Sequence, residues 1–437
     1  MIISKYTRIL SCNDGELIYN TKNGAQLFVK NDDELMNDVN FLKKGKLDDL
    51  KSELIKNIFC VDEDTNELLT IVSNYYKNYF DPTYLRFIIM PNNTCNFLCK
   101  YCYQEHDKKL MDDSIVNDFI SAIKKYHADI GIKKFYIEWF GGEPMMSYGI
   151  VKKITSSLSD FFEKNDIDYH FGMTTNGSLL SKNVVDFLFE HKFDFFQITI
   201  DGDKKNHNYY RPFINGDGSY DKIFENLKYM HSKQNVFDVA IRVNYNLETS
   251  NHLTELLEDI KNNLDNRFSI FYHPIGKWGG KNDATLDVVT GSMSNVALCE
   301  FSNEAVKRGI YPKLNIMHMN PFGLMCYASM PYFFTLGTDG MLRKCNEEDP
   351  NLDSFNIVGT IKGGELKFNI NKWSRFILPG GDISIPKKCQ ECLYFPLCLG
   401  LNCPRDFFNG YHECPNSIDA FEDMLLVKLK AMSTRKD

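Results

Sequence analysis

Short apolar runs alternate with helix-length polar segments through the middle of the chain. β-rich runs fall at 85–90, 135–140, 169–174, 195–200, 239–243 and 268–272, and between them lie polar stretches at 112–128, 148–164, 181–191, 220–233 and 250–263. Repeated strand–helix units predict an α/β fold, a parallel sheet with helices packed outside it. Six units predict a partial (β/α)6 TIM-like barrel rather than a closed eight-stranded one. In such barrels the chemistry sits on loops leaving the C-terminal strand ends.

The flanks read differently. Residues 16–19 and 26–29 are short apolar runs around Asn23-Gly24, which predicts a hairpin whose turn draws its positive φ from Asn-Gly. Helical patterns follow at 32–43, 46–57 and 65–79. Beyond about 320 the regularity fades and Gly, Pro and Cys become frequent, as expected where bound metal replaces part of a core. A final helix is predicted at 417–433. The expected domains are 1–80, 81–310 and 311–437.

At 437 residues, with 43% hydrophobic and 25% charged residues, the chain has the composition of a globular protein of more than one domain. A net charge of −8 gives no support to a nucleic-acid partner. No stretch of about 18 apolar residues is present to span a bilayer. No signal peptide is expected within the first 20 residues either, so a cytoplasmic location is expected. In that compartment thirteen cysteines suggest metal rather than disulfides. Cys12, Cys60 and Cys299 stand alone and read as small buried hydrophobes.

The other ten cysteines are ordered. Cys95, Cys99 and Cys102 have the spacing C-x3-C-x2-C and follow the first barrel strand directly. Three thiolates on one short loop can hold three irons of a 4Fe–4S cube and leave the fourth iron open. An open iron can chelate an amine and a carboxylate, which is how S-adenosylmethionine would bind. Zinc prefers four-ligand closure, for which only His106 is near. Four further segments end predicted strands: Gly141-Gly142-Glu143-Pro144, Thr174-Thr175-Asn176-Gly177, Thr199-Ile200-Asp201-Gly202 and Arg242-Val243-Asn244. Glycines permit close backbone approach, Glu143 suits an ammonium group, Thr199 and Asp201 suit a ribose, and Arg242 suits a carboxylate.

With these motifs in this order, residues 85–275 resemble the radical S-adenosylmethionine superfamily. The resemblance implies that Cys95, Cys99 and Cys102 ligate the catalytic cluster and that Tyr101 and Tyr103 lie near the adenine. It implies that Gly141, Gly142, Glu143 and Pro144 form the methionine-binding motif, with Glu143 facing the amine. Thr199 and Asp201 would face the ribose, with Asn176 and Arg242 as further cofactor contacts.

Cys326, Cys345, Cys389, Cys392, Cys398, Cys403 and Cys414 resemble the SPASM extension of peptide-modifying relatives, which carries two auxiliary 4Fe–4S clusters. That resemblance implies a distal cluster on Cys389, Cys392, Cys398 and Cys414, and a proximal one on Cys326, Cys345 and Cys403. The chain departs from the pattern in placing four residues, not three, between Cys398 and Cys403. The proximal set also has three cysteines, to be completed by His318 or Cys299 or left with an open iron. Residues 1–80 resemble, loosely, a winged-helix-like leader-peptide recognition domain. The expected protein is thus a ribosomal-peptide maturase with three 4Fe–4S clusters, S-adenosylmethionine, a leader-bearing precursor peptide and an external flavodoxin- or ferredoxin-type reductant. Its expected product is a cysteine thioether. Carbon–carbon crosslinking, epimerisation and formylglycine formation are alternatives, and an iron–sulfur electron carrier is the non-enzyme rival.

Overall fold

The computed structural model describes residues 1–104, 106–246, 248–277, 280–313, 320–346, 353–377, 385–401, 403–404 and 414–434. The chain forms two compact units. One comprises Met1–Phe80, Asn315–Ser329 and Ile377–Leu425; the other comprises Asp81–Leu314, Met330–Phe376 and Leu426–Asp437.

The larger unit is built on one ten-stranded sheet. Its six barrel strands are Tyr84–Ile89, Lys134–Trp139, Asp168–Thr175, Phe193–Thr199, Asp238–Tyr245 and Phe268–Pro274. Each pairs in parallel with the next, in chain order. Consecutive parallel strands need a crossover, and helices Asp113–Ile130, Tyr148–Lys164, Lys182–Glu190, Tyr220–His231 and Leu253–Asn263 supply them. The six predicted strands are therefore found within a few residues of their expected ends, and the partial barrel holds.

Alternation explains the layering. In the second strand, Phe135, Ile137 and Trp139 are fully buried and face the helices, where the Phe135 and Phe162 rings lie 4.6 Å apart. Burying such a ring is worth roughly 1.5–3 kcal/mol. Tyr136 and Glu138 point to the other, concave side and are only partly covered. Asp112 caps the first barrel helix by accepting from Ile115 N at 3.0 Å, and Gly131, at φ +83°, ends it.

Four short strands beyond residue 330 extend this sheet, although regular structure was not expected there. Phe333–Leu336 pairs in parallel with the first barrel strand, and Met341–Arg343, Ile357–Ile361 and Leu366–Phe368 follow as an antiparallel meander. At three to five residues each, they are too short for a period-two pattern to register.

The smaller unit opens with an antiparallel sheet of Thr7–Cys12, Gly15–Asn20 and Gln26–Lys30. The expected hairpin is present, with Gly24 at φ +76° in its turn. The Thr7–Cys12 strand was not anticipated, because Thr7, Arg8 and Ser11 are polar and only Ile9 and Leu10 mark it. The expected helix at 46–57 is broken into Leu47–Asp49 and Glu53–Phe59. The Asp38 carboxylate accepts from Lys51 N at 2.6 Å and Ser52 N at 3.2 Å, and Ser52 caps the second piece. Helices Met36–Lys43 and Glu67–Tyr79 match the remaining expectations. The C-terminal helix runs Phe421–Thr434. Among the described residues, no helix is long and apolar enough to cross a membrane.

Candidate active site

Because the barrel strands are parallel, their C-terminal ends share one edge, and the sequence motifs meet there. The loop carrying Cys95, Cys99 and Cys102 is clamped from two sides. On one side, Glu143 N donates to Thr94 O at 2.7 Å. A Cβ on Gly142 would lie 2.1 Å from Thr94 O, and one on Gly141 2.5 Å from Asn92 O. These two positions require glycine. On the other side, Leu98 N donates to Pro212 O at 2.9 Å, Lys100 N to Tyr210 O at 2.9 Å, and Ile214 N to Asn96 O at 3.0 Å. Phe97 and Phe213 stack edge to face across this ladder at 4.9 Å.

Glu143 is fully buried and caps the short turn Pro144–Ser147. Its carboxylate accepts from Met145 N at 3.0 Å, Thr175 Oγ1 at 2.7 Å and Asn176 N at 2.7 Å. Burial nonetheless raises its pKa above the usual carboxylate value. Asn176 donates to Asn96 Oδ1 at 2.7 Å, with its amide nitrogen 3.9 Å from Cys95 Sγ. The third strand thereby ties into the cysteine loop.

Tyr101 anchors the middle of that loop. Its hydroxyl donates to Asp201 Oδ2 and accepts from Arg211 Nη1 at 2.8 Å and Asn244 Nδ2 at 2.9 Å. Asp201 Oδ1 accepts from Asn244 N at 2.8 Å. Burial raises the Asp201 pKa, although the Arg211 guanidinium opposes the shift. Thr199 is buried at the end of the fourth strand. Arg242 donates through Nε to Asn244 Oδ1 at 2.8 Å. Tyr103 lies against Gly280, where a Cβ would come within 2.9 Å of its Cα.

Arg211 and His207 were not singled out from the sequence, and Asn244 only as part of its strand-end segment. Asp201 N donates to His207 Nδ1 at 3.1 Å, which leaves the His207 Nε2 hydrogen for Ser219 Oγ at 2.9 Å. Ser219 Oγ donates in turn to Arg211 O at 2.6 Å. Burial keeps His207 neutral. This chain of bonds sets Arg211, itself buried, beside the cysteines. A basic residue directly after Tyr209-Tyr210 and before a proline gave no sequence signal, because its partners Tyr101 and Asp201 come from two other strand ends.

The donor set fits an iron–sulfur cluster. Burial, and secondarily the two neighbouring thiols, push the Cys99 thiol up to about 12, with Arg211 opposing them. Cys95 is likewise raised by burial. At Cys102 burial acts the same way, but a His106 Nε2 contact at 3.3 Å outweighs it and lowers the thiol. Three mutually repelling sulfurs in a desolvated loop are what a cation cluster relieves. Phe97 N donates to Cys95 Sγ at 3.4 Å, a bond typical of cluster ligands. Arg211 Nε is a buried donor with no acceptor among the described residues, ready for an anionic group.

The comparisons agree with this geometry. Residues 89–266 match the Radical SAM superfamily. The chain carries a radical SAM domain. It is an enzyme, and the domain implies S-adenosylmethionine and a 4Fe–4S cluster. A cysteine-type anaerobic sulfatase-maturating enzyme of Clostridium novyi is 22% identical over 361 residues, which is 75% of this chain and 91% of that protein. The structure of native anSMEcpe with bound AdoMet superposes with a TM-score of 0.61 at 18% identity, over 80% of this chain and 100% of that one. Streptococcus suis SuiB bound to precursor peptide SuiA superposes with a TM-score of 0.52 at 16% identity, over 94% of this chain and 98% of that one. At such identities these two likenesses speak for the fold.

Outside the radical SAM domain, Cys389, Cys392, Cys398 and Cys414 form a second group. Burial pushes the Cys398 thiol up to about 12, and Cys392, Cys389 and Cys414 add to the shift. Cys414 and Cys392 likewise act on Cys389. Tyr394 N donates to Cys392 Sγ and Gly400 N to Cys398 Sγ, both at 3.4 Å. Between Cys398 and Cys403, Leu399 at φ +52° and Gly400 at φ +70° take left-handed positions. Cys326 and Cys403 belong to the smaller unit and Cys345 to the larger. Of the expected completing ligands, His318 lies outside the described residues. Cys299 sits on the helix Gly291–Lys307 and acts electrostatically on Tyr245. Cys60 is buried as expected, whereas Cys12 and Cys299 are partly exposed.

Proposed function

We propose that this enzyme is a peptide maturase that installs a cysteine thioether in a ribosomally made precursor. The observation that carries this reading is the extent of the SuiB likeness. It leaves 6% of the chain uncovered, fewer residues than the 80 that precede the barrel, so it takes in part of that N-terminal segment. The anSMEcpe likeness reaches the whole of that shorter chain yet covers 80% of this one. A precursor-binding segment ahead of the barrel suits a leader peptide. The edge strands Thr7–Cys12 and Gln26–Lys30 could each accept an added strand.

Cys95, Cys99 and Cys102 would hold the catalytic cluster, and Cys389, Cys392, Cys398 and Cys414 an auxiliary one. Tyr101, Tyr103, Gly141 to Pro144, Asn176, Thr199, Asp201 and Arg242 would line the S-adenosylmethionine site. Here Glu143 works through the loop it caps, which it holds against Thr94. When bound, the cluster and S-adenosylmethionine supply hydrogen-atom abstraction from carbon, with the electron drawn from a flavodoxin- or ferredoxin-type donor. The chain's own part is to fix the loop, exclude water and present the peptide. The 22% likeness to a sulfatase-maturating enzyme favours a second reading, oxidation of one residue to formylglycine.

The test is anaerobic incubation of the iron-loaded chain with S-adenosylmethionine, dithionite and synthetic cysteine-containing peptides translated from the reading frames that flank its gene. A thioether appears as a loss of two hydrogens together with a blocked cysteine. Formylglycine, or deuterium uptake from solvent with the cysteine still free, would replace the thioether reading.

A further inference from the structure

Thioether formation leaves one proton to be placed. A hydrogen atom leaves a peptide carbon for the cofactor's radical, and the resulting carbon radical bonds to the cysteine sulfur. As the C–S bond forms, the S–H bond breaks, one electron passes to an oxidised iron–sulfur cluster of the chain, and one proton must find a base. Resting on the thioether reading above, we propose that Glu138 is that base, accepting the proton of the substrate cysteine thiol inside the barrel.

Glu138 lies on the concave face of the second strand, opposite the buried Phe135, Ile137 and Trp139. It remains partly accessible in a strand whose outward residues are sealed. Thr174 Oγ1 donates to its Oε1 at 2.8 Å from the third strand, which orients the carboxylate. The other oxygen, Oε2, has no hydrogen-bond partner among the described residues. Three residues further on, the same strand enters the Gly141–Gly142 turn that packs on Asn92 and Thr94, ahead of Cys95. Glu138 therefore sits at the strand end nearest the chemistry.

Glu143 and Asp201, the fully buried carboxylates at this edge, are committed. Glu143 satisfies three donors within its own loop and the third strand. Asp201 holds the Tyr101 hydroxyl and Asn244 N. Glu138 has one hydrogen-bonded hydroxyl, that of Thr174, the Tyr136 phenol within electrostatic reach, and no cation acting on it among the described residues. Burial raises its pKa, with the Thr174 bond opposing, and a carboxylate raised toward neutrality is a stronger base than an exposed one.

The experiment compares wild type with Glu138→Gln and Glu138→Asp on the flanking-frame peptides, measuring crosslinked peptide and 5′-deoxyadenosine in the same reaction. General bases contribute about 10²–10⁴-fold, so crosslinked product per deoxyadenosine should fall by about 100-fold in Glu138→Gln. Glu138→Asp, which keeps a carboxylate one methylene further back, should lose about tenfold. Peptide affinity, read by fluorescence anisotropy, and iron content separate a base from a brace. If either falls while product per deoxyadenosine stays at the wild-type value, the proposal is overturned. Should Glu138→Gln take up no iron, Glu138→Asp carries the test, and an undiminished ratio there overturns it as well. A wild type that releases deoxyadenosine but forms no thioether defeats the functional reading instead, and this assignment with it.

Discussion

Next to Cys95 and Cys99, backbone bonds reach Glu143, Tyr210, Pro212 and Ile214, residues far along the chain. Around Cys389, Cys392 and Cys398 the cysteines' own backbone bonds run to Pro386, Cys389 and Leu401, each three places away. Distant ties there fall on their neighbours and are fewer: Lys5 Nζ donates to Gln390 O at 3.1 Å and Thr21 Oγ1 to Leu393 O at 2.5 Å. Phe322 N donates to Pro396 O and Leu324 N to Leu397 O, both at 2.8 Å. The difference teaches how each site is made. The barrel loop is shaped by the protein before any iron arrives, because four strand ends and a buried Arg–Tyr–Asp network fix it. The C-terminal cysteines sit in short turns with fewer distant bonds, so a cluster there, as proposed, would supply crosslinks that the fold does not.

The largest effect should come from breaking the clamp on the first loop. Gly142→Ala places a methyl 2.1 Å from Thr94 O and 2.6 Å from Thr94 C, so backbone rather than a flexible side chain must yield. A displacement of about 1 Å at a reacting centre costs about 100-fold in rate. Deoxyadenosine formation should drop by about that factor, measured against iron content so that loss of the cluster and its misplacement are separated. Wild-type turnover in this variant would show that the loop is less tightly determined than its contacts indicate.

Removing iron sharpens the contrast from the other side. In hydrogen exchange after anaerobic chelation, amides of 389–401 should exchange about 100-fold faster than in the loaded protein. Those of Tyr84–Ile89 and Lys134–Trp139 should keep their protection, because their ladder is complete without metal. Equal loosening of both regions would remove the distinction drawn between them.

The same contrast explains what could be read from the sequence. Six barrel strands were legible because long βα units repeat one pattern, and the Cys95, Cys99, Cys102 spacing was legible because the three sit within eight residues of each other. The meander at 341–368 was not, since Met341–Arg343 and Leu366–Phe368 are too short to show a period. Arg211 was invisible for a different reason. Its function comes from Tyr101, 110 positions away, and from a His207–Ser219 relay that exists only after folding. Glu143 shows the limit from a third side. The motif is plain in the sequence, but that its carboxylate would be occupied by Met145, Thr175 and Asn176 is a fact of packing.

The smallest effect should come from the matched glycine in the second region. Gly400 has φ +70°, and a Cβ there would meet Cys389 Sγ at 3.4 Å, which is ordinary contact. Alanine in the left-handed region costs roughly 1–2 kcal/mol, a shift of only a few degrees in the thermal midpoint for a chain of this size. Gly400→Ala should therefore bind as much iron as wild type, if the proposed auxiliary cube rather than the glycine holds the turn. It should release that iron to a chelator a few-fold faster. If iron uptake were instead abolished, the conformation at Gly400 would have to exist before the metal binds, and the C-terminal site would belong with the barrel loop as a structure determined by the chain.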